Sequence, residues 1–328
     1  MIDLLPIIND SFSKHKIRNM QIDPNGFCNA GCWFCPVRYQ GNPEEAKSHM
    51  PVELLEKIFA DVIHERDTGG LVDPAFNGFY TSHYNEVLLY QHFEELLKIA
   101  RKYKLIFMVL SNGTPLSRNK TDLLIEYKDV LSGVCLNVPC FEDELWSKRV
   151  NLSKAMFPKL MDNIRYFIDN HPMKLSIQVN GWDGKNTWLE KGADFPADLL
   201  DDENERQTNL AKQLFPEANV FQMPHLVDRA GSIASVITNK HAIDKYHHGK
   251  QVVGCMNSAE SGGRPVGWIH VNSVGECFLC CNDVEMEMKF GDFKTQSLKD
   301  FWGKQDHIDS IIHSYEGMCV NCASAQFA

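Results

Sequence analysis

The stretch Cys28-Asn29-Ala30-Gly31-Cys32-Trp33-Phe34-Cys35 places three cysteines in a Cys-x3-Cys-x2-Cys spacing, behind residues 19–23, which predict a short β-strand. A cluster of four irons and four sulfides normally binds four cysteine thiolates. Three thiolates in one loop therefore predict a cluster in which one iron is open to a ligand that the protein does not supply. An open metal position is where a metal centre does chemistry.

The same loop, with the aromatic Phe34 before its third cysteine, resembles the signature of the radical S-adenosylmethionine (SAM) enzymes. The resemblance implies that Cys28, Cys32 and Cys35 hold a [4Fe–4S] cluster whose open iron binds SAM, and that Phe34 contacts this cofactor. It implies reductive cleavage of SAM to a 5'-deoxyadenosyl radical that abstracts a hydrogen atom from a substrate. A zinc site and unrelated free cysteines are the alternatives, although zinc prefers Cys-x2-Cys pairs and four ligands.

The composition predicts a well-buried globular chain, with 328 residues, 44% hydrophobic residues and a net charge of −10. This acidity argues against nucleic acid as a partner, and no apolar stretch approaches the ~20 residues of a membrane span. The segment Met1-Ile2-Asp3-Leu4-Leu5-Pro6 lacks the basic start and apolar core of a signal peptide. We therefore expect a cytoplasmic protein whose 11 cysteines serve as metal ligands rather than disulfides.

Six strand-like segments alternate with amphipathic helical segments, which predicts an α/β fold with a parallel sheet or an open barrel. The polar residues 181–207 predict a long surface loop or lid. The resemblance implies a partial (β/α)6 TIM-like barrel over residues 1–235, followed by a small domain over residues 236–328. The predicted strands cover residues 19–23, 75–80, 105–110, 134–138, 175–179 and 219–223, and predicted helices cover 51–66 and 92–102.

Ligands of parallel α/β proteins bind at the carboxyl ends of the strands, so residues directly after each predicted strand are candidates. The resemblance implies a Gly-Gly-Glu-Pro-like segment after the second strand that binds the amino group of SAM. Glu86 matches its acid, but Asn85 replaces the glycine and Val87 the proline. A plain surface acid is the alternative for Glu86. Ser111 and Asn112 match the Ser/Thr-Asn-Gly motif that contacts the cofactor after the third strand.

Further polar residues follow the fourth and fifth predicted strands. Gln178 and Asn180 are candidates to bind the ribose of SAM, with structural amides as the alternative. Glu142 is a candidate substrate contact, although acidic runs are usually solvated.

The last third of the chain carries six of the 11 cysteines. Their order, a cysteine, Gly-x4-Cys and a terminal Cys-x2-Cys, resembles the SPASM/twitch extensions that bind auxiliary iron–sulfur clusters. The resemblance favours the one-cluster twitch form, with a structural zinc as the alternative. Cys277 and Cys281 are then left over, either as buried apolar residues or, for Cys281 above all, as a hydrogen-atom donor. The implied ligands of one auxiliary [4Fe–4S] cluster are Cys255, Cys280, Cys319 and Cys322.

The whole pattern resembles the twitch-type aminocyclitol dehydrogenases, which share an Arg-Gly segment after the sixth strand, here Asp228-Arg229-Ala230-Gly231. The resemblance implies that Arg229 faces the substrate, where a guanidinium orients a hydroxyl or carboxylate. An ion pair with Asp228 is the alternative.

The expected reaction is oxidation of a sugar-like or aminocyclitol-like small molecule, with reduced flavodoxin or ferredoxin as the electron donor that the family implies. The 27 residues before Cys28 are too few for a peptide-binding domain, which favours a small substrate. Epimerisation or peptide (RiPP) modification with a cysteine hydrogen donor is one alternative. A non-catalytic iron–sulfur or zinc scaffold is the other.

Overall fold

The computed structural model describes residues 2–39, 41–180, 187–189, 201–222, 229–233, 237–239 and 250–328. Its helices are α1 (Leu4–Lys14), α2 (Val52–Asp67), α3 (Phe93–Lys102), α4 (Arg118–Glu126), α5 (Asp143–Val150), α6 (Phe157–Asn170), α7 (Asp201–Leu214), α8 (Arg264–Gly267), α9 (Leu298–Phe301) and α10 (Gln305–Glu316). Its strands are β1 (Asn19–Ile22), β2 (Gly78–Tyr80), β3 (Ile106–Ser111), β4 (Leu131–Asn137), β5 (Ser176–Val179), β6 (Thr187–Leu189), β7 (Asn219–Gln222), β8 (Ile237–Asn239), β9 (Val252–Cys255), β10 (Trp268–Val271), β11 (Glu276–Phe278), β12 (Lys289–Asp292) and β13 (Ala325–Phe327).

The barrel consists of β1, β2, β3, β4, β5 and β7, which pair side by side in this order and all run parallel. This confirms the predicted partial (β/α)6 arrangement. Helix α2 buries Leu55, Ile58, Phe59 and Val62 on one face, as their spacing predicts. The ring centre of Phe59 lies 4.8 Å from that of Phe79 on β2, which joins this helix to the sheet.

The sheet does not end at the barrel. Strand β10 pairs parallel with β1, with Gln21 opposite His270, and β11 and β12 follow antiparallel. The resulting nine-stranded sheet runs in the order β12-β11-β10-β1-β2-β3-β4-β5-β7. The C-terminal segment is therefore joined to the first barrel strand by backbone hydrogen bonds, which brings its cysteines close to the barrel.

The loop prediction for residues 181–207 is wrong over its last part, because residues 201–207 belong to helix α7. The helix lacks a clear apolar stripe, and Gln207 is buried through hydrogen bonds instead. The amide oxygen of Gln207 accepts from the backbone N–H of Phe141 at 2.7 Å. Residues 181–186 and 190–200 lie outside the described residues. Within the described ranges, no helix combines the length and apolar composition that crossing a bilayer requires.

We expect Gly291→Ala to destabilise the C-terminal part of the sheet. An alanine Cβ at this position on β12 would lie 2.4 Å from a ring carbon of the buried Phe301. Overpacking of this kind typically costs ~1–3 kcal/mol. Gly133→Ala on β4 is the matched control, since its Cβ would meet only Met108, at 3.6 Å. Urea unfolding followed by circular dichroism measures both, and equal midpoints would contradict the prediction.

Candidate active site

A cavity of about 250 Å³ opens at the carboxyl ends of the barrel strands. Its walls combine the cysteine loop with residues that end or follow β2, β3, β4 and β5, as expected for a parallel α/β fold. The predicted site residues that line it are Cys28, Cys32, Phe34, Cys35, Glu86, Ser111, Asn112, Gln178 and Arg229.

The cysteine loop is held by backbone hydrogen bonds to the end of helix α5. Gly31 donates to the carbonyl oxygen of Val150 at 2.9 Å, and Trp33 donates to that of Arg149 at 3.0 Å. The buried Arg149 in turn donates through Nη1 to the carbonyl oxygen of Pro139 at 2.6 Å. The loop is therefore anchored to the chain that follows β4, which fixes its cysteines at the rim of the cavity.

The donor chemistry of the loop fits an iron–sulfur cluster. Cys28, Cys32 and Cys35 line one cavity and interact electrostatically with one another. Burial raises the pKa of the Cys28 thiol to about 12, so a metal must displace its proton. No three His, Cys, Asp or Glu side chains in the described ranges are arranged to hold a single ion. In a four-iron cluster each thiolate binds a different iron.

Glu86 is buried at 2% exposure, so the alternative of a plain surface acid is wrong. Its Oε2 accepts from the backbone N–H of Asn112 at 2.8 Å, and its Oε1 accepts from that of Leu88 at 3.1 Å. Burial raises the pKa of this carboxyl to about 7. Val87, which replaces the usual proline, opens a short 3-10 helix that Glu86 caps. The carboxylate is therefore fixed without a Gly-Gly-Glu-Pro backbone.

Asn112 joins β3 to the cysteine loop. Its Nδ2 donates to Oδ1 of Asn29 at 2.9 Å and lies 3.7 Å from Sγ of Cys28. Ser111 is buried, and its Oγ accepts from the backbone N–H of Gly113 at 2.9 Å. Both motif residues line the cavity that the three thiols share, and Asn112 lies next to Cys28.

Gln178 and Asn180 are linked to each other at the end of β5. Nε2 of Gln178 donates to Oδ1 of Asn180 at 2.7 Å. Gln178 lines the cavity, whereas Asn180 is buried next to Gln178 and does not line the cavity.

Glu142 is placed away from the cavity walls. Its half-exposed carboxylate accepts from Arg206 and Gln207 of α7, and the Arg206 guanidinium lowers its pKa. We attribute to Glu142 a structural contact between α5 and α7.

Arg229 lines the cavity from the opposite side. Its guanidinium carbon lies 5.9 Å from the centre of the Tyr84 ring, and its backbone has a left-handed φ of 55°. Its charge interacts with Cys35 of the first cysteine loop and with Cys280 and Cys281 of the second. Asp228, the alternative ion-pair partner, lies outside the described residues.

His83 and Tyr84 line the same cavity but were not predicted as site residues. Nε2 of His83 lies 2.8 Å from the carbonyl oxygen of Cys281, and the Tyr84 hydroxyl donates to that oxygen at 2.7 Å. One carbonyl of the C-terminal domain is therefore held by two cavity residues. Their position directly after β2 is the sequence signal that marks them.

The C-terminal thiols form a second group. Cys255 and Cys322 interact electrostatically, as do Cys319 and Cys255. The adjacent thiols of Cys280 and Cys281 interact with each other. Cys277 is separate, since it lies fully buried in the hydrophobic core. None of the 11 cysteines, all of them within the described ranges, forms a disulfide.

Backbone and amide N–H groups surround the auxiliary sulfurs, as they do in iron–sulfur proteins. Asn282 places its backbone nitrogen 3.5 Å from Sγ of Cys280 and its Nδ2 3.5 Å from Sγ of Cys322. The backbone nitrogen of Ser324 lies 3.4 Å from Sγ of Cys322. These donors fit a cluster that carries negative charge.

A parallel partial barrel with a three-thiol loop at the carboxyl ends of its strands defines a class of enzymes with an open iron–sulfur cluster. The Radical SAM superfamily model matches residues 22–186, half of the chain, and the SPASM iron–sulfur cluster-binding domain model matches residues 263–323. The chain belongs to the radical SAM superfamily and is a radical SAM enzyme. Its cofactors are a SAM-binding [4Fe–4S] cluster, an auxiliary iron–sulfur cluster and SAM.

Solved structures with the same fold cover nearly the whole chain. BtrN in complex with AdoMet and 2-DOIA is 14% identical, with a TM-score of 0.53 over 94% of this chain and 91% of that one. Streptococcus suis SuiB bound to the precursor peptide SuiA is 13% identical, with a TM-score of 0.59 over 94% and 70%. Native anSMEcpe with bound AdoMet is 15% identical, with a TM-score of 0.54 over 93% and 86%. Curated protein sequences give no match.

Proposed function

We propose that this protein is a radical SAM dehydrogenase that oxidises a hydroxyl-bearing carbon of a sugar-like or aminocyclitol-like small molecule. The observation that carries the proposal is the position of Arg229, whose charge interacts with thiols of both cysteine groups. A substrate beside this guanidinium lies between the two cofactor sites. When bound, the cofactors supply a hydrogen-abstracting 5'-deoxyadenosyl radical and an acceptor for the electron that remains on the substrate.

The proposed ligands are Cys28, Cys32 and Cys35 for the open cluster, and Cys255, Cys280, Cys319 and Cys322 for the auxiliary one. Glu86 accepts a hydrogen bond from the amino group of SAM, and its fixed position needs no rearrangement. The remaining cofactor contacts that we propose are Phe34, Ser111, Asn112, Gln178 and Asn180.

Arg229 orients the substrate. The guanidinium offers a planar fork of donors to a hydroxyl or carboxylate, and the Tyr84 ring beneath it limits its motion. His83 and Tyr84 hold the carbonyl of Cys281, which ties the segment that carries Cys280 and Cys281 to two residues of the cavity wall. We further propose a cytoplasmic location and a reduced flavodoxin or ferredoxin as the electron donor.

The second candidate function is epimerisation of a small molecule or a peptide, with Cys281 as the hydrogen-atom donor. The observation that favours this function is that Cys281, which is not among the proposed cluster ligands, interacts with the cavity residue Arg229. A peptide is included among the possible substrates because SuiB, which has the same fold, is bound to a precursor peptide in its structure.

Cys281→Ala separates the two functions. We expect the variant to keep producing ketone and 5'-deoxyadenosine in equal amounts from sugar and aminocyclitol substrates, because a dehydrogenase returns no hydrogen to carbon. Mass spectrometry of reactions in D2O measures both products and any deuterium on the substrate carbon. Wild-type incorporation of deuterium with inversion, lost in Cys281→Ala, would overturn the dehydrogenase in favour of the epimerase.

A further inference from the structure

Arg264, the first residue of α8, has buried donors that are not used. Its Nε and Nη1 are inaccessible to solvent, and neither has a hydrogen-bond partner among the described residues. A buried polar group without a hydrogen-bond partner destabilises the folded protein, and a charged group does so more strongly than a neutral one. This guanidinium therefore requires an acceptor.

The backbone brings Arg264 against a proposed ligand of the auxiliary cluster. Gly263 has a φ of +81°, and a Cβ there would lie 2.8 Å from the carbonyl oxygen of Cys255. This close approach places the backbone N–H of Arg264 beside the sulfur of Cys255. On its other side, the Arg264 guanidinium carbon lies 4.1 Å from the centre of the Trp268 ring. The side chain is therefore fixed between an indole ring and the auxiliary thiols.

The groups around Arg264 identify the missing acceptor. Its charge interacts with the thiols of Cys255, Cys280 and Cys281. The nearby His270 is fully buried, and burial together with the Arg264 charge holds the pKa of its imidazole well below the usual range. His270 is therefore neutral and adds no second positive charge, and the groups that interact favourably with the Arg264 charge are the cysteine sulfurs.

We propose that Arg264 donates hydrogen bonds from Nε and Nη1 to the sulfur atoms of the auxiliary cluster and thereby raises its reduction potential. The inference rests on the ligand set given under the proposed function. Reduction adds a negative charge, which a nearby cation and N–H···S hydrogen bonds stabilise. Arg264 acts through the cluster and touches no substrate, so it is a positioning residue that favours electron uptake from the substrate side.

The test uses the full chain with Cys28, Cys32 and Cys35 replaced by alanine, so that only the auxiliary cluster is observed. Arg264→Met keeps an apolar stem on Trp268 but removes the charge and the donors. We expect the equilibrium constant for reduction to fall by on the order of tenfold, or about 59 mV for a one-electron couple. A redox titration followed by electron paramagnetic resonance, with iron quantified in each sample, measures this shift.

Two further variants complete the design. Arg264→Lys keeps the charge without the planar fork, so we expect a smaller shift in the same direction. Arg101→Met is the matched control, because Arg101 also stacks 4.1 Å from an aromatic ring centre, that of Tyr127, but pairs with Asp129. We expect no shift from it.

An unchanged potential in iron-replete Arg264→Met overturns the inference. If Arg264→Met fails to retain iron, the reduction potential of Arg264→Lys is compared with that of the parent protein. A lowered potential supports the role of the guanidinium donors, and an unchanged potential rejects it. A separate measurement tests the proposed ligands of the auxiliary cluster. If the auxiliary iron is retained after alanine replacement of Cys255, Cys280, Cys319 and Cys322, that ligand set is wrong.

Discussion

Replacing Cys28, Cys32 and Cys35 together with alanine is expected to abolish 5'-deoxyadenosine formation and to halve the bound iron, from about eight to about four atoms per chain. The three thiols line one cavity wall, and no other cysteine of their loop remains to replace them. The measurement is an anaerobic reconstitution with iron and sulfide, followed by addition of dithionite and SAM and quantification of 5'-deoxyadenosine by chromatography.

Cys140→Ala is the matched control. Cys140 is as buried as a ligand would be, but it lies in the hydrophobic core and not on the cavity wall. We expect this variant to keep both its iron and its SAM cleavage. Full iron content in the triple variant would show that the loop is not the ligand set. If Cys140→Ala lost as much iron as the triple variant, the loss of iron would reflect disturbed folding and not the loss of cluster ligands.

The reciprocal variant, with Cys255, Cys280, Cys319 and Cys322 replaced, should also lose half of its iron but retain SAM cleavage. The C-terminal thiols belong to a separate group from the three loop thiols, so the open cluster does not depend on them for ligands. Together, the two variants test whether one half of the iron is bound by the three loop cysteines and the other half by the four C-terminal cysteines.

Local patterns were sufficient to predict an α/β fold with a parallel sheet or an open barrel and to mark the strand carboxyl ends as the place for ligands. The resemblance of the motifs to the radical SAM family added the partial barrel and the candidates Glu86 and Asn112, which line the cavity. Contacts between distant segments were not predictable in this way. The hydrogen bond from the Tyr84 hydroxyl to the carbonyl oxygen of Cys281 depends on the pairing of β10 with β1, and no local sequence pattern predicts this pairing.

Two polar residues show why polarity alone misleads. Gln207 belongs to a stretch that composition assigns to a loop, yet it lies buried in α7 and accepts a hydrogen bond from the backbone N–H of Phe141. Glu142 follows a strand, the position that made it a candidate substrate contact, and its carboxylate forms an ion pair with Arg206. In both cases the partner is more than 60 residues away along the chain, so only the fold determines the role.

Glu86→Gln is expected to weaken SAM binding on the order of tenfold or more, because a hydrogen bond to a charged group contributes ~1.5–3 kcal/mol. The loss depends on pH. Burial raises the carboxyl pKa from 4.5 to about 7, so below pH 7 the free protein holds Glu86 protonated and must release this proton to accept from the amino group. The contribution of Glu86 to wild-type affinity therefore rises with pH through this range and levels off once Glu86 is ionised.

Glutamine does not titrate, so the ratio of wild-type to Glu86→Gln affinity should increase from pH 6 to pH 8. Taking this ratio cancels the titration of the SAM amino group, which has a pKa of ~7.7–8 as an α-amino group and affects both proteins alike. Equilibrium binding of SAM to the two reconstituted proteins at several pH values measures this affinity ratio. A ratio that stays constant would mean that the Glu86 carboxylate does not bind the amino group, and a ratio that falls with pH would mean that the protonated carboxyl is the form that binds.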